Sequence, residues 1–306
     1  KYILKRVLAM IPTLLAVVFI IFVLINITPG DPGRIMLGQD AAQEDVDAIN
    51  AMLRMDKPLL IRYALYIWDA LHLDFGISLQ TRQPVFANLF AKLPVTFTLA
   101  LGGTLASVLI GVPLGVISAV KEHTWLDSLV SVISLLVASI PIFWMSIMMI
   151  LFFSAKLHLL PSSGIGTPLH YVMPILSLCI GNAAYYQRMT RSAMQETLRQ
   201  EYIKTARAKG VSNSRAVIVH ELRNALMMVV TNMTLSFASM MGGSMLTETI
   251  FGLPGVGSTI LQAINMKDIP MIMASTIFVT LTLMIGLLLV DIANAFLDPR
   301  VRMRYK

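Results

Sequence analysis

Residues 95–120 read VTFTLALGGTLASVLIGVPLGVISAV, an uncharged run from Val95 to Val120. An α-helix needs about 20 consecutive apolar residues to cross a hydrocarbon layer, and this stretch exceeds that. Within it, Gly111-Val112-Pro113-Leu114-Gly115 spaces two glycines four residues apart. That pattern lets a neighbouring helix come close, so packing is its expected role, with gating the alternative.

Outward from this run, five further stretches have the same character: Val7–Thr28 before it, then Leu126–Phe153, Tyr171–Gln187, Ala225–Thr247 and Pro270–Leu297 after it. The sequence therefore predicts an all-α integral membrane protein with six transmembrane helices. The first stretch is too long for a cleaved signal peptide and has no small-residue cleavage site. It leaves through a turn, Pro29-Gly30-Asp31-Pro32. The third is long for one crossing, so a tilt or an extension past the bilayer is expected.

Composition agrees. Of 306 residues, 56% are hydrophobic and 13% charged, with mean hydropathy +0.74; a soluble domain carries roughly 25% charged residues. The lone cysteine, Cys179, allows no intrachain disulfide. The net charge of +7 is read as membrane topology rather than nucleic-acid binding, because aromatic residues do not interleave with the basic ones. With the N-terminus inside, the inner segments hold sixteen of the 24 Lys and Arg, and the short outer loops hold one each, Lys156 and Lys267. Positive residues collect on cytoplasmic loops, so both termini are expected in the cytoplasm. The chain divides into 1–29 (N-terminus and first helix), 30–92 (a small helical external insert), 93–299 (a five-helix core containing a cytoplasmic segment, 188–223) and a basic tail, 300–306. In the insert, Ala41–Leu53 is acidic and helix-capable, and Leu59–Leu71 has the periodicity of an amphipathic helix that packs on the membrane domain.

The span centres hold no Asp, Glu, Lys, Arg or His, and Asp127, Glu248 and Asp291 fall near span ends. An ion-coupled carrier needs ionisable groups at mid-membrane, and a membrane-embedded enzyme needs a catalytic pair there. No catalytic residues are assigned. Gly252-Leu253-Pro254-Gly255-Val256-Gly257-Ser258-Thr259 lacks the lysine of a phosphate loop and is expected to be an outer-loop turn. His72, His123, His158, His170 and His220 are scattered without metal-ligand spacing, so no metal site is assigned. The 21 methionines suit either a pathway lined for varied substrates or plain apolar bulk. Asp291 is expected to be an interfacial or packing group, with gating the alternative.

The cytoplasmic run Glu196–Arg223 reads ETLRQEYIKTARAKGVSNSRAVIVHELR. Tyr202, Ala206 and Ala208–Lys209 share helical spacing, and Gly210 stops the helix. Ser212-Asn213-Ser214 can cap a second helix that leads into the fifth span. A short helix along the membrane joined to a transmembrane rod forms a lever for a docked partner; a basic loop held by anionic lipid is the competing reading.

Glu201-Tyr202-Ile203-Lys204-Thr205-Ala206-Arg207-Ala208-Lys209-Gly210 resembles the coupling-helix signature of binding-protein-dependent ABC importer permeases, in the peptide/nickel branch, where Glu-Tyr stands for the wider superfamily's Glu-Ala-Ala. The resemblance extends along most of the chain: Thr28-Pro29-Gly30-Asp31-Pro32, Asp74-Phe75-Gly76-Ile77-Ser78, Leu93-Pro94, Ser139-Ile140-Pro141, Thr247-Glu248-Thr249-Ile250-Phe251, Pro254-Gly255-Val256-Gly257 and Asp298-Pro299-Arg300. Its early Pro-Gly-Asp-Pro and its insert are similar to the first of the two permeases in such systems. The resemblance implies the type I importer permease fold and a heteromeric complex in a bacterial or archaeal inner membrane. This subunit would pair with a second permease above two ATPases, which bind ATP and Mg, and a substrate-binding protein would dock outside. Glu201–Gly210 would sit in a groove on one ATPase. The insert, through Asp31, Asp74, Phe75, Gly76 and Ser78, would receive the binding protein or cover the entrance. Pro141, Pro254 and Gly255 would join Gly111, Gly115 and Asp291 as gate or packing positions. Di- and oligopeptides are the expected cargo. Glutathione-like peptides and nickel chelates are the alternatives, because Lys156–His170 and Ala70–Ser78 are also similar to nickel-type members.

Overall fold

In a computed structural model, the structure describes residues 2–27, 30–38, 40–78, 80–198 and 222–297. The described residues are all helical apart from turns and one isolated bridge, Ile77 to Pro84. The helices are α1 (Tyr2–Ile27), α2 (Pro32–Leu37), α3 (Gln43–Met52), α4 (Leu59–Leu71), α5 (Val85–Val120), α6 (Trp125–Ala138), α7 (Ile142–Met149, running on as a π-helical stretch Ile150–Lys156), α8 (Val172–Leu198), α9 (Leu222–Gly243), α10 (Met245–Ile250), α11 (Val256–Asn265) and α12 (Ile269–Leu297).

Three of these, α1, α5 and α12, are long and apolar enough to cross a membrane. A fourth crossing results if α6 and α7 count as one broken span. The expectation of six such helices is therefore met only in part. The cause in α8 is its C-terminal half, where Gln187, Arg188, Arg191, Gln195 and Glu196 replace the apolar residues of its start. The third predicted stretch is not one tilted rod either, because it bends by 95° between α6 and α7. Ile140 precedes a proline, which disfavours helical backbone at that position, and Pro141 caps α7 with extended backbone.

The chain forms two compact units. The first holds residues 1–96 and 254–284. Here Val18 of α1 packs with Met273 and Ile277 of α12 and with Tyr63, Tyr66 and Ile67 of α4. A second cluster joins Val85 and Leu89 of α5 to Val256 and Ala263 of α11 and to Met271 and Ala274 of α12. The stretch expected to be an outer-loop turn is thus half helix. Gly252 does adopt a positive φ of 59°, but α11 starts at Val256, its first turn held by Thr259 Oγ1 donating to the Gly255 carbonyl at 2.7 Å.

The second unit holds residues 97–253 and 285–306. Small residues on α5 let α8 lie against it. A Cβ added at Gly111 would stand 2.4 Å from the Ala183 carbonyl oxygen, and one at Gly115 would stand 2.6 Å from Thr190 Cβ. Ser107, buried on the same face, donates to the Cys179 carbonyl at 3.3 Å. Met240 and Met241 are buried here, as Met271, Met273 and Met284 are in the first unit; these five fill core.

Candidate coupling and docking sites

The expected coupling residues, Glu201, Tyr202, Thr205, Ala206, Arg207, Ala208, Lys209 and Gly210, lie outside the described residues, as do Thr28-Pro29 and Asp298-Pro299-Arg300. The elements on either side of the coupling run are described. α8 leads into it and α9 leads out of it, and the two are tied to each other. Tyr185 donates its hydroxyl to Asn232 Oδ1 at 2.9 Å, and Tyr186 donates to Ser236 Oγ at 3.0 Å. Tyr186 is fully buried, in a cluster with Val112 of α5 and Val229 of α9.

One turn or more further along α8, a charged clasp fixes its end to α5 and α6. Asp127, in the first turn of α6, is 5% exposed. The Arg191 guanidinium grips it with two parallel bonds, Nε to Oδ1 at 2.7 Å and Nη2 to Oδ2 at 2.8 Å. Ser118 of α5 also donates to Oδ1, and the His123 amide donates to Oδ2 at 3.3 Å. Arg191 Nη1 reaches Gln195 Oε1 at 3.2 Å. Bidentate guanidinium–carboxylate pairs fix geometry as well as charge. The clasp therefore sets the direction in which α8 points as it ends. On the same helix, the Gln187 amide and the Thr190 hydroxyl are buried without a hydrogen-bond partner among the described residues.

In the sequence, Asp127 stands near a span end and Arg191 in a basic segment, 64 positions apart, with nothing local to pair them. Their opposite charges at two span ends were the available signal. Nothing local in the sequence marks Tyr185 and Tyr186, whose partners lie 47 and 50 residues away.

In the first unit, Asp31 is exposed and caps α2. Its carboxylate accepts from Asn50 Nδ2 at 2.8 and 2.9 Å and from the Arg34 amide at 3.1 Å. These bonds, Asn50's first, hold it below the ordinary carboxylate range. Gly33 presses on α3, where an added Cβ would stand 2.7 Å from the Val46 carbonyl oxygen. Asp74 and Gly76 are exposed and share a tight turn, the Gly76 amide donating to Asp74 Oδ1 at 3.0 Å. Phe75 is half-buried and stacks on Phe86 with centroids 6.2 Å apart. Ser78 is fully buried and donates to Asp268 Oδ2 at 2.6 Å. The structure thus brings Asp74, Phe75, Gly76 and Ser78 into one turn, with Asp31 on a separate one.

Of the remaining sequence-derived positions, Gly111 and Gly115 are close-packing sites and Pro141 starts α7. Pro254 is exposed, Gly255 is buried at the start of α11, and Asp291 is half-buried in α12. Among the described residues, no three His, Cys, Asp or Glu side chains gather as a metal site.

The family described as binding-protein-dependent transport system inner membrane component matches residues 111–303. Its companion N-terminal membrane component matches residues 1–100. A Brucella abortus (strain 2308) protein, a peptide transport system permease by name, is 37% identical over 98% of both chains. The glutathione transport system permease protein GsiC of Escherichia coli (strain K12) is 35% identical over 99% of both. In fold, the chain is similar to a chain of the MetNI methionine ABC transporter in an inward-facing conformation, at 23% identity and a TM-score of 0.55, covering 72% of this chain and 97% of that one. With both sequence models and near full-length relatives in agreement, this chain belongs to the family of binding-protein-dependent ABC importer permeases, in its peptide/nickel branch, as a non-catalytic membrane subunit.

Proposed function

We propose that this subunit forms half of the path by which an ATP-driven importer takes di- and oligopeptides across a bacterial or archaeal inner membrane. The chain crosses the bilayer six times, by α1, α5, the broken α6–α7 pair, α8, α9 and α12, with both termini in the cytoplasm. The distribution of Lys and Arg supports that orientation. Residues 201–210 seat on one of two partner ATPases, which hold the ATP and Mg; a second permease completes the path. Residues 30–92 face a substrate-binding protein outside. Support for peptide cargo comes from the relatives' names, a peptide permease and a glutathione permease.

The observation that carries the coupling role is the anchored base of the 199–221 segment. α8 is clasped to α6 through Arg191 and Asp127 and tied to α9 through two tyrosines. A push on the segment therefore reaches packed helices instead of dissipating in a loose loop.

The test is reconstitution with copurified partner subunits and binding protein. Peptide uptake should require ATP, and Gly210→Pro or Ala206→Glu should abolish uptake while ATP hydrolysis persists. Uptake unchanged by either substitution would refute the lever. Solute accumulation by the chain alone, without nucleotide, would refute the importer reading altogether. Competition by dipeptides or glutathione, set against a nickel chelate, decides the cargo.

A further inference from the structure

Helix α4 turns only apolar residues to the outside and keeps its polar ones, with Ile67 and Ala70, against the protein. Its exposed positions are Leu60, Ile61, Ala64, Trp68 and Leu71, and none carries a charge. Leu60, Trp68 and Leu71 are 67%, 62% and 73% exposed. Residues 60, 64, 68 and 71 recur at helical spacing, so they form one face. Arg62, Tyr63, Tyr66 and Asp69 are half-buried. The Arg62 guanidinium lies 5.9 Å from the Phe22 ring centroid, and Asp69 pairs with Arg54 at 2.9 Å. A helix against water has the opposite arrangement, with charged residues outward.

Its contacts with α1 fix its depth. Tyr63 donates to the Leu15 carbonyl at 2.7 Å and meets Phe19 edge-on at 5.0 Å; Phe22 touches Tyr63 and Tyr66. The apolar stretch of α1 runs Arg6–Ile27. At about 1.5 Å per residue, Phe22, Phe19 and Leu15 lie about 8, 12 and 18 Å from its Ile27 end. The hydrocarbon layer is only about 30 Å thick, so these contacts fall within it. On α1 itself, Ile20 and Leu24 are more than half exposed, as a lipid-facing helix requires. With 13 residues, α4 is about 20 Å long, too short to cross.

We propose that α4 is a membrane-embedded, non-spanning helix whose Leu60–Ile61–Ala64–Trp68–Leu71 face is covered by lipid acyl chains. Residues 30–92 are then not wholly a water-exposed insert: one helix of it is sunk in the leaflet beside α1. Only the passage of α1 through the bilayer is required, so an importer of different cargo would embed α4 in the same way.

Because Cys179 is the sole cysteine, a Cys179→Ala background permits single spin labels. Ile61→Cys, Ala64→Cys and Leu71→Cys would be labelled in the full chain, copurified with its partners and placed in phospholipid vesicles, with Glu44→Cys on α3 as the aqueous control. Collisions with oxygen should be frequent, and collisions with a water-soluble nickel complex several-fold rarer than at Glu44→Cys. Free access of the nickel complex at these sites would overturn the proposal in favour of a water-facing helix. Shielding from both agents would overturn it in favour of a protein partner. Trp68 offers a label-free check: with Trp125→Phe and Trp144→Phe, brominated acyl chains should quench its fluorescence, and unquenched emission would count against embedding.

Discussion

At the scale of single residues, the second unit depends on two kinds of position. Gly111 and Gly115 have no room for a side chain, because backbone and Cβ atoms of α8 occupy it. Gly111→Val should lower stability by about 1–3 kcal/mol, the usual cost of overpacking, read as a fall in the thermal unfolding midpoint of the detergent-solubilised complex. Asp127 is the other kind. Asp127→Ala leaves the Arg191 guanidinium, 29% exposed, facing a vacated acceptor. Stranding a buried charge costs about 3–5 kcal/mol, and the part of Arg191 that water reaches reduces this to about 2–3. The Asp127→Ala/Arg191→Met double variant should recover much of that loss. A double variant no better than the single one would show that Arg191 is not the partner that matters.

At the scale of elements, α2 is held to α3 by a carboxylate whose folded pKa is depressed. Such a group contributes fully above its unfolded value, near 4 for aspartate, and its contribution disappears as pH falls through the lower folded value. Hydrogen exchange of the 33–37 amides should therefore speed up, beyond its intrinsic rate change, as pH drops below about 4. Asp31→Asn should remove that pH dependence. The helices themselves were largely legible as uncharged runs in the sequence. What escaped was the direction of a bend or a face. Ser139-Ile140-Pro141 was visible as a motif, yet the chain stays uncharged from Ser128 to Ala155, so no charged break announced the 95° turn. α11 was hidden behind Pro254 and three glycines that read as a loop. The periodicity of 59–71 marks a helix, but pattern alone does not say which face meets protein; the Tyr63–Leu15 bond does.

At the scale of the whole molecule, the membrane class and the family were legible because composition and motifs act over the full chain length. The clasp and the tyrosine ties were not, since each joins residues between 47 and 64 positions apart. Those ties carry a prediction of their own. Tyr185→Phe with Tyr186→Phe removes two hydrogen bonds, worth about 1 kcal/mol each, while keeping both rings. Substrate taken up per ATP hydrolysed should fall several-fold with little change in hydrolysis itself, measured in the reconstituted importer. An unchanged ratio would mean that α8 and α9 need no such brace.

The buried bond between Ser78 and Asp268 has a mechanical consequence. Asp268 stands at the head of α12 and also receives the Met271 amide at 3.3 Å, while Ser78 anchors the turn begun by Asp74. The two segments are therefore latched together, so that a tilt at the start of the last helix would carry the 74–78 turn with it.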